Sequence, residues 1–360
     1  MCAKINSLRI GGRRGQNLAR GGVDVVIWSG SGCVFLKENS SHLRRKTTRL
    51  FDRYDEKCRH PIMVADPMNL WKKYHVTRSI SDALRILADS PGDSQIIAGG
   101  TDLLLDLQQG RFPPVGTLVD ITRIPEMTVI EVVGEELFIG AGASHKTINQ
   151  SRLVKENCAA LAIASGLIGG PQVRNTATIG GNIAHALPAA DGTIALLSLD
   201  AVAEIATLSG KQRVPLLDLF LGPGESTLKK SGTILTGFYV DLKKPGQSST
   251  FRRIMRPQGV AIAILNMAVW LHKGARTIVD IRISVGPSGP IPRRMKLAED
   301  VLRGKALTQG IVSEAQDAIL EEASFRTSRH RATKEYRQKM VGVLLVENLK
   351  ELFQISDFTG

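Results

Sequence analysis

"SQIIAGGTDLLLDLQQG", residues 94–110, sets a strand-like apolar run against a helix-like run with two consecutive glycines, Gly99 and Gly100, between them. Glycine inside a regular element costs about 0.5–1 kcal/mol relative to alanine. A pair at a strand-to-helix junction therefore points to special backbone angles or close backbone approach. The idea recurs in "NTATIGGNIAHALPAAD", residues 175–191, where Gly180 and Gly181 stand 81 positions after the first pair. Backbone N–H groups of a tight glycine turn converge on a concavity that suits an anion, and a helix starting just after it adds partial positive charge. Two such turns facing one another would hold a pyrophosphate from both sides, with Thr101 and Asn182 adding side-chain hydrogen bonds. Taken singly, each pair reads as no more than a tight turn, and neither fits GxGxxG or GxxxxGK(S/T).

Two carboxylates accompany these turns. Asp102 would repel an exposed phosphate, so it is expected to turn away and cap backbone amides or a neighbouring loop. Asp191 has two open roles: accepting from a sugar hydroxyl, or N-capping a helix over "GTIALLSLDA".

At 360 residues, 43 % hydrophobic and with mean hydropathy −0.01, the chain has material for two or three ordinary domains. No apolar run reaches the roughly 18–20 residues that span a bilayer. The net charge of +13 is concentrated at the N-terminus. Residues 1–60 hold 13 Lys and Arg against 5 Asp and Glu, a net +8, which leaves +5 for the other 300 residues. Cys2, Cys33, Cys58 and Cys158 form no cluster with metal-ligand spacing, so a reducing, cytoplasmic setting is expected.

Residues 1–67 read as a basic, disordered extension. "RIGGRRGQNLARGG" and "SSHLRRKTTRLFDRYDEKCRH" show no sustained period of 2 or 3.6, and the apolar patch "VDVVIWSGSGCVFL" is broken by Asp24 and two glycines. A twin-arginine export signal at Arg13-Arg14 and a basic partner-binding tail compete with the favoured reading, sequence upstream of a start at Met68.

Beyond residue 68 the pattern becomes regular. "SISDALRILADS" predicts a helix capped by Ser79 or Ser81, with Ala83, Leu84 and Leu87 on one face. "QIIAG", "TLVDIT" and "LFIGAGAS" read as strands, with "VGEE" as turn material. "TINQSRLVKENCAALAIASGLIG" reads as a largely buried helix. "TILTGFYVDLKKPGQSST" ends a strand and enters a linker, a boundary near residue 246. Beyond it, "GVAIAILNMAVWLHK" is apolar on both faces. In "TIVDIRISVG", Val279, Ile281, Ile283 and Val285 alternate with Asp280, Arg282 and Ser284, predicting one buried face and an antiparallel hairpin through "KGAR". Three helical segments follow, "KLAEDVLRGK", "IVSEAQDAILEEAS" and "KEYRQKMVGVLLVENLKELF". The fold class is α+β.

These motifs, "IIAGGTDLLLDL", "GGPQVRNTATIGGNIAHALPAAD" and "TILTGF", resemble the FAD-binding subunit or domain of the molybdenum hydroxylases, the xanthine dehydrogenase and aerobic carbon monoxide dehydrogenase family. Motif order, spacing, the Pro-Gln-x-Arg lead-in and "LAEDVLRGKALT…EAQDAILEEAS…EYRQKMVGVLL" carry the resemblance over about residues 69–352. It implies a p-cresol methylhydroxylase-type FAD-binding fold over residues 68–245 and a C-terminal antiparallel sheet-plus-helices domain over 246–360. It also implies FAD contacts at Ile96, Ile97, Ala98, Gly99, Gly100, Thr101, Asp102 and Leu103, and at Thr178, Ile179, Gly180, Gly181, Asn182 and Asp191. Ile168, Leu235 and Arg252 fall on further contact positions, Arg252 where the xanthine dehydrogenases carry lysine. The chain departs from the pattern at Gly259 and Val260, where many relatives are acidic, and in the more basic "ASFRTSRHRATKEYR". It lacks the cysteine-rich loop of the hydroxybenzoyl-CoA reductases, which disfavours that branch.

No Ser/His/Asp or Cys/His constellation has spacing for nucleophilic work, and His145 and His185, near the glycine turns, read as structural histidines. The family implies that FAD, bound non-covalently, carries the redox chemistry. Electrons from a molybdopterin centre on a large subunit would pass through two [2Fe–2S] clusters on a small subunit to FAD, then to NAD, oxygen or a quinone. A stand-alone flavin oxidoreductase and a basic nucleic-acid-binding protein remain as alternatives. The first needs turnover without partners, the second salt-sensitive binding that vanishes without residues 1–67.

Overall fold

The computed structural model describes residues 25–29, 32–36, 70–229, 232–256, 262–329 and 331–358. The chain forms two compact units, Met1–Val64 and Ala65–Gly360. In the first, two strands are described within the residues expected as a disordered extension. Val25–Ser29 (β1) and Gly32–Leu36 (β2) pair as an antiparallel hairpin, Val25 opposite Leu36 and Ser29 opposite Gly32. The β-branched run Val25, Val26, Ile27 favours a strand. The rest of that expectation lies outside the described residues, as do Gly259 and Val260.

The second unit opens with a small parallel sheet, β3 (Trp71–Val76), β4 (Ser94–Ile97) and β5 (Val115–Asp120), in the order β3-β5-β4. Helix α1 (Ile80–Asp89) makes the crossover from β3 to β4. Ser79 is its N-cap, Oγ accepting from the Asp82 amide, and Ile80, Ala83, Leu84 and Leu87 form the buried face. After β4 come Gly99, Gly100 and the short helix α2 (Leu103–Gln108), the strand–turn–helix predicted from the opening motif.

Next comes a five-stranded antiparallel sheet of β6 (Ile130–Val133), β7 (Glu136–Gly140), β8 (Val202–Thr207), β9 (Gly210–Pro215) and a later strand. Between β7 and β8 the chain makes six short helices. The single long helix predicted over residues 147–169 is instead three: α3 (His145–Gln150), α4 (Arg152–Asn157) and α5 (Ala159–Leu167). Ser144 and Ser151 each accept from an amide three residues on, so Ser144 starts the first helix and Ser151 restarts the second as an N-cap, while the third begins after Cys158 without a side-chain cap. Only α5 has the all-round burial expected, with Ala160, Leu161, Ala162, Ala164 and Ser165 buried. Helices α6 (Pro171–Thr176), α7 (Ile179–Ala184) and α8 (Asp191–Ser198) follow. A two-stranded ladder, β10 (Phe220–Gly222) with β11 (Glu225–Ser226), precedes β12 (Ile234–Asp241), which completes the larger sheet as β6-β7-β12-β8-β9.

Residues 242–246 connect β12 to β13 (Gln247–Ile254), so "QSST", read as linker, is already strand. β13 joins β14 (Leu265–Lys273), β15 (Ile278–Gly286) and β16 (Arg293–Arg294) in sequential antiparallel order. Helices α9 (Lys296–Leu302), α10 (Gln309–Glu322) and α11 (Lys334–Phe353) complete the chain. The doubly apolar β14 is covered on both faces. Ala268 packs into the larger core with Phe251, while Leu265, Met267, Val269 and Leu271 join a second core with α9–α11. One expectation fails on β15: Val279 is 48 % exposed, Ser284 is fully buried, and Ile278 takes the inward place. The ladder shifts register between His272 and Lys273, which breaks the alternation at the hairpin end.

A buried ion pair ties α9 to this sheet. Glu299, fully buried, accepts from Arg294 at 2.8 and 2.7 Å and from the Ile283 amide at 2.9 Å. Removing one member of such a pair strands the other, at a cost of about 3–5 kcal/mol. Arg294→Met should lower the thermal unfolding midpoint accordingly, read by circular dichroism. Arg152→Met, which breaks an exposed i,i+4 pair with Glu156, should move stability by less than about 1 kcal/mol.

Candidate functional site

The two glycine motifs meet in space. A Cβ at Gly99 would lie 2.2 Å from the Thr176 carbonyl oxygen and 2.8 Å from the Ala177 Cα, so the first turn is pressed against the lead-in of the second. Gly100 has φ +65°, the left-handed region in which an L side chain is strained. The amides of Gly99, Gly100, Thr101, Asp102 and Leu103 have no hydrogen-bond partner among the described residues. Five consecutive donors in a half-buried turn are what an anion requires. Helix α2 has only six residues, so these amides rather than a long helix dipole make the turn attractive.

The second turn is built differently, which corrects the expectation of two equivalent amide cradles. Gly180 and Gly181 lie inside the first turn of α7, with Thr178 as N-cap. Their neighbourhood is internally satisfied: Ile179 N donates to Ala143 O, Gly180 N to Ala141 O, Gly181 N to Thr178 Oγ1 and Asn182 N to Thr178 O. What the glycines give here is proximity. A Cβ at Gly180 would meet both Cβ and O of Ala141 at 2.7 Å, whereas one at Gly181 would meet only Thr178 Oγ1, at 3.2 Å. Ala141 N in turn donates to Thr236 O on β12, beside Leu235, which is buried in the larger core. Asn182 keeps a buried side-chain oxygen, Oδ1, without a partner among the described residues.

A side-chain bridge also spans the motifs. Asp102 makes no cap hydrogen bond, contrary to expectation; its Oδ2 lies 3.3 Å from Nδ1 of His185, at the end of α7. The hydrogen bond to His185 holds the Asp102 carboxyl below its usual range, and the bond to Asp102 raises His185 above its own. His145 is 1 % exposed, and burial pushes its imidazole down to about 4 despite the Asp102 charge. Its Nδ1 has no partner among the described residues.

Of the two roles left open for Asp191 by its sequence position, the helix N-cap is not the one it takes. Ala190 is the N-cap of α8, and the Asp191 carboxylate is buried against Arg253 (2.5 Å) and Asn266 (2.6 Å). Burial pushes this carboxyl up, against the opposing pull of Arg253. The Arg253 guanidinium also donates to Leu167 O, at the end of α5, one residue before Ile168. Arg174 of the Pro-Gln-x-Arg lead-in donates to Ile168 O (3.1 Å) and Gly169 O (2.7 Å), so the half-buried Ile168 sits on a loop fastened from both ends.

Arg252 is the predicted residue that is not brought to this region. Its guanidinium reaches Glu351 of α11 at 2.8 Å, alongside Thr250, while Phe251 and Arg253 face the larger core. Side chains alternate along β13, so adjacent arginines point to opposite faces. The signal was present in the apolar Phe251, which shares a face with Arg253 and not with Arg252. Ile96, Ile97 and Ala98 lead into the first turn; Ile96 and Ala98 pack against the larger core, and Ile97 is buried.

Residues 68–240 match the family described as FAD binding domain in molybdopterin dehydrogenase, and residues 249–352 the CO dehydrogenase flavoprotein C-terminal domain. The nicotine 6-hydroxylase medium subunit of Paenarthrobacter nicotinovorans is 31 % identical over 280 residues, covering 78 % of this chain and 96 % of the relative. The carbon monoxide dehydrogenase medium chain of Hydrogenophaga pseudoflava is 32 % identical over 248 residues, 69 % of this chain and 85 % of the relative. In structure, the chain is similar to the Hydrogenophaga pseudoflava carbon monoxide dehydrogenase that lacks the Mo-pyranopterin moiety of its molybdenum cofactor. There the TM-score is 0.74 at 29 % identity, over 78 % of this chain and 97 % of that one. Quinoline 2-oxidoreductase from Pseudomonas putida 86 gives a TM-score of 0.72 at 25 % identity, over 78 % and 96 %. The paired glycine turns, the α+β architecture and these similarities over nearly the whole of the relatives place the chain among the FAD-binding medium subunits of the molybdenum hydroxylase family of oxidoreductases.

Proposed function

We propose that this chain carries FAD as the electron-transfer subunit of a molybdenum hydroxylase, receiving electrons from [2Fe–2S] clusters of a small subunit and delivering them to a terminal acceptor. Its other partner is a large subunit that holds molybdopterin and selects the substrate. The observation that carries this reading is the run of five unpartnered amides, Gly99 to Leu103, packed against the second motif in a chain of this family.

The residues present fit the cofactor. The first turn offers donors for the diphosphate, and the hydroxyl of Thr101 can add one more. Thr178, Ile179 and Gly180 form a closely packed wall, and Asn182 brings an unsatisfied buried oxygen. Ile168 on its fastened loop and Leu235 at β12 supply apolar surface. Asp191 acts through Arg253, holding together α5, α8 and β13 around that loop. Bound FAD supplies the redox chemistry, and the chain contributes position, charge and access. Arg252 is assigned to the contact between β13 and α11 rather than to the cofactor.

Purified full-length protein should carry one non-covalent FAD, released on denaturation and measured by absorbance. It should take electrons from its reduced iron–sulfur partner subunit, read as bleaching of the flavin band. Turnover of a small substrate by the chain alone, or properly folded protein that refuses FAD, would sink this reading. Among variants, Gly99→Val and Gly180→Val must force backbone or Ala141 apart. They should lose most of the flavin and about 1–3 kcal/mol of stability. Gly181→Ala meets only the Thr178 hydroxyl and gains helix propensity, so its flavin content and melting point should stay near those of the parent.

A further inference from the structure

We propose that the Asp102–His185 pair governs the affinity for FAD, with a proton on His185 neutralising a carboxylate that would otherwise repel the diphosphate. This rests on the placement of the diphosphate at the first glycine turn. The amide of Asp102 is itself one of the five unpartnered donors, so its carboxylate lies within one residue of the anion those donors attract. Two like charges so close disfavour each other. His185, 3.3 Å away and reaching in from α7, is the compensating group.

The other ionisable groups facing this pair do not take over that task. His145 comes from α3 and feels the Asp102 charge, but its burial keeps it neutral across the physiological range. Asp106 of α2 favours the protonated form of His185, although Arg111 already pairs with Asp106 at 2.9 Å. Lys229 opposes that form.

The sign follows from the two directions. Asp102 is held below the ordinary carboxylate range and His185 above the ordinary imidazole range, so between them the pair is ionised and net neutral. As pH rises through the raised value of His185, the imidazole loses its proton and Asp102 confronts the diphosphate uncompensated. FAD should then bind more weakly. By linkage, binding the anion must favour the protonated imidazole, so association should take up a proton.

The test uses the full chain stripped of flavin, with FAD affinity followed by flavin fluorescence from about pH 6 to pH 9, the range in which histidine titrates. The dissociation constant of the parent should rise by about fivefold or more, and calorimetry in buffers of different ionisation heat should report proton uptake. His185→Gln should flatten the profile at the weak, high-pH level. Asp102→Asn should flatten it at the tight, low-pH level, so that at high pH this variant binds FAD better than the parent. A flat parental profile overturns the proposal, as does either folded variant that keeps the parental slope. Should His185→Gln not fold, Asp102→Asn decides alone. A chain that binds no FAD at any pH overturns the functional reading and this inference together, whereas tight binding that ignores pH overturns only the inference.

Discussion

A single steric constraint organises the site: Gly99 has no room for a side chain because the backbone at Thr176 and Ala177 occupies that space. Everything else in the region elaborates this contact between two segments far apart in sequence. Ala177 O accepts from the His145 amide, Ser144 bridges Thr178, and Gly180 rests on Ala141, which hangs from β12 through Thr236. The turn with free donors is thus held against a turn whose donors are already used. On the proposed function, the first would offer hydrogen bonds to the cofactor and the second would fix where it sits. The division of labour follows from backbone polarity, since an amide bonded inside the protein has nothing left for a diphosphate.

The second organising feature is the sheet of β13 to β16. It lies between two sets of helices, and its faces therefore serve two cores. Buried polar side chains fasten it on both sides. Asp191, Arg253 and Asn266 tie it to α5 and α8, and Glu299 with Arg294 ties it to α9. A buried carboxylate persists only where charge and hydrogen bonds satisfy it. Through Arg253 the C-terminal sheet reaches the loop of Ile168, so the cofactor lobe does not hold that loop by itself.

Sequence alone was enough for the strand–turn–helix at Gly99 and Gly100, the α1 face, the doubly apolar β14 and the three C-terminal helices. Each of these is written in local periodicity, caps or glycine placement, which act over a few residues. It also determined the family, because motif order and spacing survive without coordinates. It misjudged the three helices after Ser144, since one serine cap, Ser151, and an uncapped break at Cys158 are hard to weigh against an apolar run. Val279 was misjudged because a register shift is a property of two strands together.

What only the tertiary structure decided is which groups are free and which are engaged. Nothing local in "TIGGN" says that its amides are consumed by Ala141, Ala143 and Thr178, and although Phe251 marks the inward face of "FRRIM", nothing there says that Arg253 meets Asp191. Likewise, Asp102 and His185 are 83 positions apart, and their contact exists because two turns pack without a side chain between them. Hydrogen-bond donors are counted from the chain, but whether they are available is settled by long-range packing. For that reason the cofactor class was legible in the sequence, and the manner of holding it was not.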